Sequence, residues 1–341
     1  MHVIRSKAPL RIGLAGGGSD VSPFSDLYGG AILNATISMF AHATIMPRDD
    51  GKIVLHSVDK EQSIELDTAG FLEIDGQLSL HKGIYNRIVK DYIRKPLSFE
   101  LSTFVDAPPG SGLGTSSTLV VTILGAFAEW LKLPLGEYDL ARLAYEVERV
   151  DLNMAGGKQD QYAATFGGVN FMEFYKDDKV IVNPLRIKSE YLNELSHNLL
   201  LYYTGTSRLS SKIIAAQQNN VDKSNQKSID AMHKLKEQAI RMKEAMLCGE
   251  IDQVGEILDF GWKYKKQMAS GISNPMINKI YKTAMAHGAT GGKISGAGGG
   301  GFMIFYCPGN ARLKVVDALK EFGGQFKRYD FTKRGLTSWS L

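Results

Sequence analysis

A glycine-rich loop near the middle of the chain constrains the fold more than any other feature of the sequence. It reads Asp106-Ala-Pro-Pro-Gly-Ser-Gly-Leu-Gly-Thr-Ser-Ser and follows a strand-like segment, Phe99–Val105. The segment behind the loop, residues 119–131, is apolar nearly all round, which is typical of a buried helix. A glycine loop between a strand and a helix leaves backbone N–H groups free at the helix N-terminus, where they suit an anion such as phosphate.

Three hydroxyl side chains, those of Thr115, Ser116 and Ser117, mark the predicted start of this helix. They can cap its free N–H groups or reach a phosphate-bound Mg²⁺ ion, and three in a row favour the second role. The loop is not a Walker P-loop, because no Gly-Lys pair of the chain has the required upstream glycine and following hydroxyl. The late GxGxxG run that starts at Gly296 precedes a strand-like segment instead of a helix, so it does not predict a dinucleotide site.

The composition is that of a globular protein and limits its partners. Of the 341 residues, 44% are hydrophobic and 22% are charged, and the basic residues behind the net charge of +4 are scattered, so we expect no nucleic-acid partner. The longest uncharged stretch, residues 107–128, has too few apolar residues to span a membrane, and no apolar segment follows Arg5 and Lys7 as in a signal peptide. The two cysteines, Cys248 and Cys307, lack metal-site spacing, so we expect buried thiols and a cytoplasmic location.

The order of predicted elements divides the chain into two α+β lobes. The first hundred residues alternate strand-like segments with glycine or acidic turns, whereas residues 207–287 form long helical segments rich in Lys, Glu, Gln and Met. A strand, a helix and a second strand follow over residues 302–330. Since no repeat or low-complexity linker separates them, we predict an N-terminal lobe of residues 1–180 closely joined to a C-terminal lobe of residues 181–341.

Two further glycine clusters accompany the middle loop. Ala15-Gly-Gly-Gly-Ser-Asp20 follows the first predicted strand, and Lys293-Ile-Ser-Gly-Ala-Gly-Gly-Gly-Gly301 precedes a late one. These three motifs, at the start, middle and end of the chain, resemble those of the GHMP kinases, a family that includes galactokinase, homoserine kinase and mevalonate kinase. The resemblance extends over nearly the full length and implies the two-lobed α+β fold of that family, with an N-terminal ribosomal-S5-like lobe and a C-terminal ferredoxin-like lobe.

The resemblance implies that ATP is the phosphate donor. In the family, the middle loop holds the triphosphate and the late glycine loop braces the same site. The nucleotide-binding residues implied for this chain are Pro109, Gly110, Ser111, Gly112, Leu113, Gly114, Thr115, Ser116, Ser117, Gly296, Ala297 and Gly298.

A Mg²⁺ ion belongs to the same resemblance, because phosphoryl transfer needs charge neutralisation. Glu148 precedes an arginine, as the Mg²⁺-binding glutamate of the family does, and Ser117 corresponds to the hydroxyl ligand on the opposite side. The alternative for Glu148 and its neighbour Glu146 is a solvated helix face.

The turn Gly156-Gly-Lys-Gln-Asp-Gln-Tyr162 resembles the family's Gly-x-x-Asp turn and implies that Asp160 accepts or orients the proton of the attacking hydroxyl. The alternative for Asp160 is an N-cap of the helix that follows. Lys158 in the same turn could neutralise the transferred phosphoryl group or lower the pKa of Asp160, with a plain surface lysine as the alternative.

The first motif and the Asp160 turn indicate the acceptor. Galactokinases carry Gly-Glu-His-x-Asp where this chain has Gly16-Gly-Gly-Ser-Asp20, which disfavours galactose. That motif, the Gly-Gly-Lys-Gln-Asp-Gln run and Tyr203-Thr-Gly-Thr-Ser-Arg208 are similar to the bacterial D-glycero-D-manno-heptose 7-phosphate kinases. This resemblance implies phosphorylation of the anomeric C1 hydroxyl of a sugar that already carries a C7 phosphate, giving the 1,7-bisphosphate for nucleotide-activated heptose synthesis.

The partners implied are ATP and a small sugar phosphate. The acceptor-binding residues implied are Arg11, Gly17, Gly18, Ser19, Asp20 and Arg208, and Lys158 and Lys212 are further candidates for its phosphate. Two alternatives stay open: a kinase of fucose or another free sugar, since fucokinase domains have a similar Gln-Asp-Gln turn, and a non-catalytic sensor of ATP and sugar. A sensor would need neither a base nor metal ligands, and a free-sugar kinase would need no cationic cluster at the far end of the acceptor.

Overall fold

The structure is a computed structural model that describes residues 2–206 and 210–341. Its strands, in chain order, are β1 (Ile4–Ala15), β2 (Gly30–Pro47), β3 (Lys52–Ser57), β4 (Gln62–Asp67), β5 (Phe99–Val105), β6 (Val169–Phe174), β7 (Val180–Pro184), β8 (Leu199–Tyr203), β9 (Gly291–Ile294), β10 (Phe302–Tyr306), β11 (Gln325–Lys327) and β12 (Thr337–Ser340). Its helices are α1 (Phe24–Tyr28), α2 (Ser79–Ile88), α3 (Thr115–Leu131), α4 (Glu137–Glu146), α5 (Gln159–Phe166), α6 (Ser189–Asn198), α7 (Ser210–Asp222), α8 (Gln226–Cys248), α9 (Val254–Met268), α10 (Pro275–Ala286) and α11 (Ala311–Leu319).

The larger sheet has eight strands, and its main path runs β12-β1-β2-β5-β3-β4. The long strand β2 pairs with β5 through its second half and with β6 through its first half, and β6 in turn pairs with β7. The burial of β5 alternates, with Phe99, Leu101, Thr103 and Val105 facing inward, as expected for a strand with one covered face. Helix α3 covers that face, and it is buried on nearly all sides because its residues 117–127 are almost entirely apolar or small.

The smaller sheet is antiparallel and has the order β11-β8-β10-β9. Helices α7 to α10 lie between β8 and β9 along the chain, and α11 lies between β10 and β11. This βαββαβ arrangement is that of a ferredoxin-like lobe, so the predicted α+β two-lobed fold is confirmed.

The largest hydrophobic core spans both lobes, and a second, separate core lies almost entirely in the C-terminal lobe. The largest cluster of buried side chains joins residues of the larger sheet and α3 with Leu199, Met242, Phe302 and Ile304. Strand β12 also returns to the larger sheet, where it pairs with β1, and β7 pairs there beyond residue 180. The boundary between residues 180 and 181 stays a prediction, and the shared core is the physical reason why no linker marks it.

Two short helical turns of π type extend α2 and α4. The second, Val147–Asp151, follows directly on α4 and carries Glu148. Turns of this kind widen the helix and are frequent at functional sites. Within the described ranges, no helix is both long enough and apolar enough to cross a membrane.

The observed elements correct three expectations. Cys248 lies at the end of α8 and is exposed, whereas Cys307 is buried as expected. Asp160 is not a helix N-cap, because Lys158 occupies that position of α5. Gly114 is the N-cap of α3, which has no side-chain cap, so the hydroxyls of residues 115–117 do not cap that helix.

Candidate active site

The three glycine motifs meet at one cavity of about 750 Å³. Its walls come from β1 and the first motif, the loop before α3 and the start of that helix, the segment before α5, helices α7 and α9, and the end of β9 with the loop that follows it. The predicted site residues on these walls are Arg11, Gly17, Gly18, Asp20, Gly110, Gly112, Gly114, Thr115, Ser116, Ser117, Glu148, Asp160, Lys212, Gly296 and Ala297. Arg208 lies outside the described residues.

The middle and late glycine loops touch each other through their backbones. The hydroxyl of Ser295 donates to the carbonyl of Gly112 at 2.8 Å, and Phe302 N–H donates to the carbonyl of Ser111 at 2.8 Å. Gly112 has a φ of +84°, and a Cβ there would overlap the carbonyl oxygen of Ser295. Glycine is therefore required at this position for both conformation and space.

The N-terminus of α3 opens into the cavity without a side-chain cap. Its first N–H groups have no partner within the helix, and the helix dipole adds partial positive charge at this end. The predicted phosphate-binding loop therefore has the geometry of an anion site. Four residues assigned to nucleotide binding, Pro109, Ser111, Leu113 and Gly298, do not line the cavity and instead shape the two loops.

Glu148 is fully buried and faces the start of α3. Ser116 Oγ donates to its Oε1 at 2.8 Å, and Gln161 Nε2 donates to its Oε2 at 2.5 Å and to Ser117 Oγ at 3.1 Å. The guanidinium of Arg149 lies 3.7 Å from Oε1. Glu148 is therefore not part of a solvated helix face, and its carboxylate belongs to a network that ends at the phosphate-binding loop.

A Mg²⁺ ion fits this corner of the cavity. Mg²⁺ is commonly held by one or two protein oxygen ligands together with substrate phosphates and water, and Glu148 and Ser117 supply a carboxylate and a hydroxyl on the cavity wall. Gln161, which bonds both Glu148 and Ser117, is fully buried behind them, and its Oε1 has no hydrogen-bond partner. Among the described residues, no group of three or more His, Cys, Asp or Glu side chains could hold a metal ion.

Asp160 lies in the first turn of α5 and is held by Arg11 from β1. Arg11 Nε donates to Asp160 Oδ1 at 2.7 Å, its Nη2 lies 2.6 Å from the same atom, and its Nη1 donates to the carbonyl of Gly112 at 2.6 Å. Arg11 is buried, whereas the Asp160 side chain keeps 21% of its surface exposed, so one carboxylate oxygen can face a substrate hydroxyl. Arg11 therefore positions Asp160, and since it also lines the cavity its predicted contact with the acceptor stays a prediction.

Asp20 connects the first motif to the turn before Asp160. Its Oδ2 accepts from the backbone N–H groups of Lys158 at 3.0 Å and Gln159 at 3.2 Å, and the side chain of Gln159 lies at 3.4 Å. Burial, and then the charge of Asp160, raise the pKa of Asp20. Ser19 is fully buried and bonds the backbone of Gly16 and Ala31, so its side chain holds the motif together and does not line the cavity.

The position of Lys158 does not support the role predicted for its ammonium group. Its Nζ lies 2.7 Å from Asp178, 3.5 Å from Asp26 and over the ring of Tyr145, and the side chain is buried away from the cavity. Because this charge is already neutralised by two carboxylates, the group beside Asp160 is Arg11, not Lys158. Lys158 contributes to the site through its backbone N–H.

Two lysines that sequence reasoning missed, Lys265 of α9 and Lys293 of β9, also line the cavity. Lys265 Nζ donates to the carbonyl of Gly296 at 2.5 Å, and Lys293 Nζ donates to the carbonyl of Gly13 at 2.8 Å. Lys293 is the first residue of the late glycine motif, and that position could have identified it as a site residue. Lys265 lies among other lysines of α9, and the sequence does not show which of them faces the protein interior. Gln159, beside Asp160, was also missed.

Comparisons with known proteins agree with this geometry. The family model "GHMP kinases N terminal domain" matches residues 79–168, and "GHMP kinases C terminal" matches residues 242–325. The D-glycero-alpha-D-manno-heptose 7-phosphate kinase of Campylobacter jejuni is 49% identical over 100% of both chains. The crystal structure of a D-glycero-D-manno-heptose 1-phosphate kinase from Bacteroides thetaiotaomicron is 46% identical, with a TM-score of 0.85 over 99% of both chains.

A more distant structure shows the fold alone. Lactococcus lactis galactokinase in complex with galactose is 18% identical and has a TM-score of 0.78 over 98% of this chain and 95% of its own. Both family models match, and a full-length relative is 49% identical, in agreement with the three glycine loops that meet beside Asp160 and Arg11. The chain therefore belongs to the GHMP kinases and is a phosphotransferase.

Proposed function

We propose that this kinase transfers the γ-phosphoryl group of ATP to the anomeric C1 hydroxyl of D-glycero-D-manno-heptose 7-phosphate, giving the 1,7-bisphosphate. The observation that carries the proposal is the 49% identity, over the full length of both chains, to a kinase named for that acceptor. The related protein from B. thetaiotaomicron is named a heptose 1-phosphate kinase instead, so the position of phosphorylation is the point to test.

The site geometry supports a base-assisted transfer. Arg11 holds one oxygen of Asp160, and the exposed part of the carboxylate is free to accept the proton of the acceptor hydroxyl as its oxygen attacks the γ-phosphorus of ATP. The bond from that phosphorus to the β,γ-bridging oxygen breaks, and ADP leaves. The uncapped N–H groups of α3 lie where they would stabilise charge on the phosphates.

Glu148 and Ser117 would hold Mg²⁺, which neutralises phosphate charge when it is bound. Ser116 and Gln161 keep the Glu148 carboxylate turned toward the loop, through bonds of 2.8 Å and 2.5 Å. Because the family and the full-length kinase relative show a phosphotransferase, the sensor alternative is set aside.

We also propose a cytoplasmic location, because ATP and sugar phosphates are intracellular metabolites and the two thiols, Cys248 and Cys307, are unpaired.

ATP consumption with Mg²⁺ tests the proposal. The acceptors to compare are heptose 7-phosphate, heptose 1-phosphate, free heptose and fucose, with the product position read by ³¹P NMR. We expect turnover with heptose 7-phosphate and a new anomeric phosphate. Turnover only with heptose 1-phosphate or with a free sugar would overturn the proposed acceptor.

A further inference from the structure

The cavity contains two buried ammonium groups that the mechanism above does not use. Lys265 and Lys293 each keep only 3% of their surface exposed, yet both line the cavity wall. Each donates to a backbone carbonyl, and neither forms an ion pair with a carboxylate of the described chain. An ammonium group buried without a counter-charge is costly, and a bound anion beside it would remove that cost.

The two ammonium groups converge on the first glycine motif. A Cβ built on Gly17 would lie 3.6 Å from Lys265 Nζ and 3.9 Å from Lys293 Nζ, which are ordinary contact distances. Outside the neighbouring residues of the chain, no other described atom lies closer to that position. The φ of Gly17 lies outside the left-handed region, so the backbone does not require glycine here. The missing side chain leaves space directly beside two cations.

The charges around this space select an anion. Burial lowers the pKa of both lysines, and the neighbouring charge of Arg11 lowers both further. For Lys265 the charge of Asp20 acts in the opposite direction, but that carboxylate is committed to the N–H groups of Lys158 and Gln159. Arg11 is already paired with Asp160, so a phosphate group placed beside Lys265 and Lys293 is the ligand that would supply the missing negative charge and keep both ammonium groups protonated.

We propose that Lys265 and Lys293 bind a phosphate group in the space beside Gly17, and we assign it to the phosphate that the acceptor already carries. The alternative source of the same chemistry is the γ-phosphate of ATP. The acceptor is favoured because the lysines converge on the first motif, whereas the carboxyl group of Asp160 lies against Gly114 at the start of α3. The assignment to the acceptor rests on the proposed function.

Equilibrium titration calorimetry without the second substrate separates the two sources. Heptose 7-phosphate, free heptose and a non-hydrolysable ATP analogue are titrated into the parent enzyme and into Lys265→Met and Lys293→Met. We expect each variant to lose about 10- to 100-fold in affinity for heptose 7-phosphate, the effect of one charge-assisted hydrogen bond, with no change for free heptose. The affinity for the nucleotide analogue should change much less, although Lys265 also donates to the carbonyl of Gly296, and an equal or larger loss for the analogue would overturn the assignment to the acceptor. Lys266→Met, at an exposed position of the same helix, is the matched control and should bind like the parent.

Gly17→Ala provides a second variant that removes no charge. Its methyl group would occupy the space between the ammonium groups at an unstrained backbone position, so it should weaken heptose 7-phosphate binding with an unchanged melting temperature. Methionine keeps the length of a lysine without its buried charge, so the lysine variants should also fold, which thermal unfolding checks.

The outcomes distinguish the inference from the proposed function. Variants that bind heptose 7-phosphate as tightly as the parent, but bind the ATP analogue more weakly, would move the site to the nucleotide and overturn the assignment. Variants that bind all ligands like the parent would overturn the phosphate site itself. A parent enzyme that neither binds nor phosphorylates heptose 7-phosphate would contradict the proposed function instead.

Discussion

At the scale of single residues, the pairing of each carboxylate decides what it can do. One carboxylate oxygen of Asp160 accepts from Arg11, and the rest of that side chain is partly exposed. The Asp20 carboxylate accepts from two backbone N–H groups, and the Glu148 carboxylate accepts from Ser116 at the start of α3. Each therefore supports a different role within one cavity, although all three are simple acidic side chains in the sequence.

Replacing Asp160 by asparagine should lower kcat by at least about 100-fold, because the amide cannot accept the hydroxyl proton. The affinity for ATP should change little, since the helix N-terminus and the loop that face the phosphates are untouched. Steady-state kinetics and nucleotide titration measure the two effects, with the exposed Asp317→Asn as a control. An unchanged kcat would remove Asp160 from the mechanism.

The Glu148→Gln enzyme should need more Mg²⁺ for half-maximal rate, because one anionic oxygen ligand is lost. Glu146→Gln is the matched control: it lies two residues earlier, where its carboxylate pairs with Arg87 outside the cavity wall. Rates are recorded against Mg²⁺ at saturating ATP. Superimposable titration curves for the parent and Glu148→Gln would exclude this carboxylate as a ligand.

The pH dependence of acceptor binding should reflect Lys265. Burial lowers the pKa of this ammonium group to about 8, and the groups that face it are Arg11, Lys293 and Asp20. Below this pKa the lysine is positive and attracts a dianion, whereas above it the charge is lost. The KM for a phosphorylated acceptor should therefore rise as the pH increases through about 8, and Lys265→Met should flatten the rise. A KM that stays constant between about pH 7 and pH 9.5, on either side of that pKa, would contradict the prediction.

At the scale of elements, the site depends on backbone contact between loops from distant parts of the chain. Gly112 of the middle loop and Ser295 of the late loop touch so closely that a single methyl group does not fit. The start of α3, the first turn of α5 and the end of β1 then place their groups on the same cavity.

Gly112→Ala should push the two loops apart and raise the KM for ATP by about tenfold or more. The left-handed φ adds strain of about 1–3 kcal/mol, so the melting temperature should also fall. Gly309→Ala isolates the strain, because Gly309 also has a positive φ but has no described atom within 4 Å of its Cβ position. Kinetics and thermal unfolding of both variants test this, and equal effects of the two on KM would refute the loop contact as the cause.

At the scale of the whole molecule, the shared core should make the two lobes unfold together. Buried residues of both lobes belong to one cluster, and β12 ties the last strand of the chain to β1. We expect one calorimetric transition for the full chain and no cooperative unfolding for a fragment of residues 1–180 expressed alone. Two separated transitions, or a stably folded fragment, would show that the lobes are independent domains.

Several elements were missed because their signals are weak. Strand β9 contains two glycines and a lysine in four residues, and it is a strand because β10 pairs with it. Strand β12 and helix α6 were not predicted, since short segments of mixed polarity carry little periodicity. By contrast, β5 has the bounds that were predicted, because its inward-facing apolar residues alternate with outward-facing ones.

The sequence alone was enough to predict the family and the α+β fold, because its three glycine motifs resemble those of the GHMP kinases in order and spacing. The same resemblance singled out the loop before α3, Asp160, Glu148 and Ser117, whose roles stay predictions. The tertiary structure decided which charges meet. Lys158 pairs with Asp178 and Asp26, so the cation beside Asp160 is Arg11. Lys265 of α9 and Lys293 of β9 line the same cavity. Electrostatic interactions depend on distance and burial in space, and neither can be read from separation along the chain.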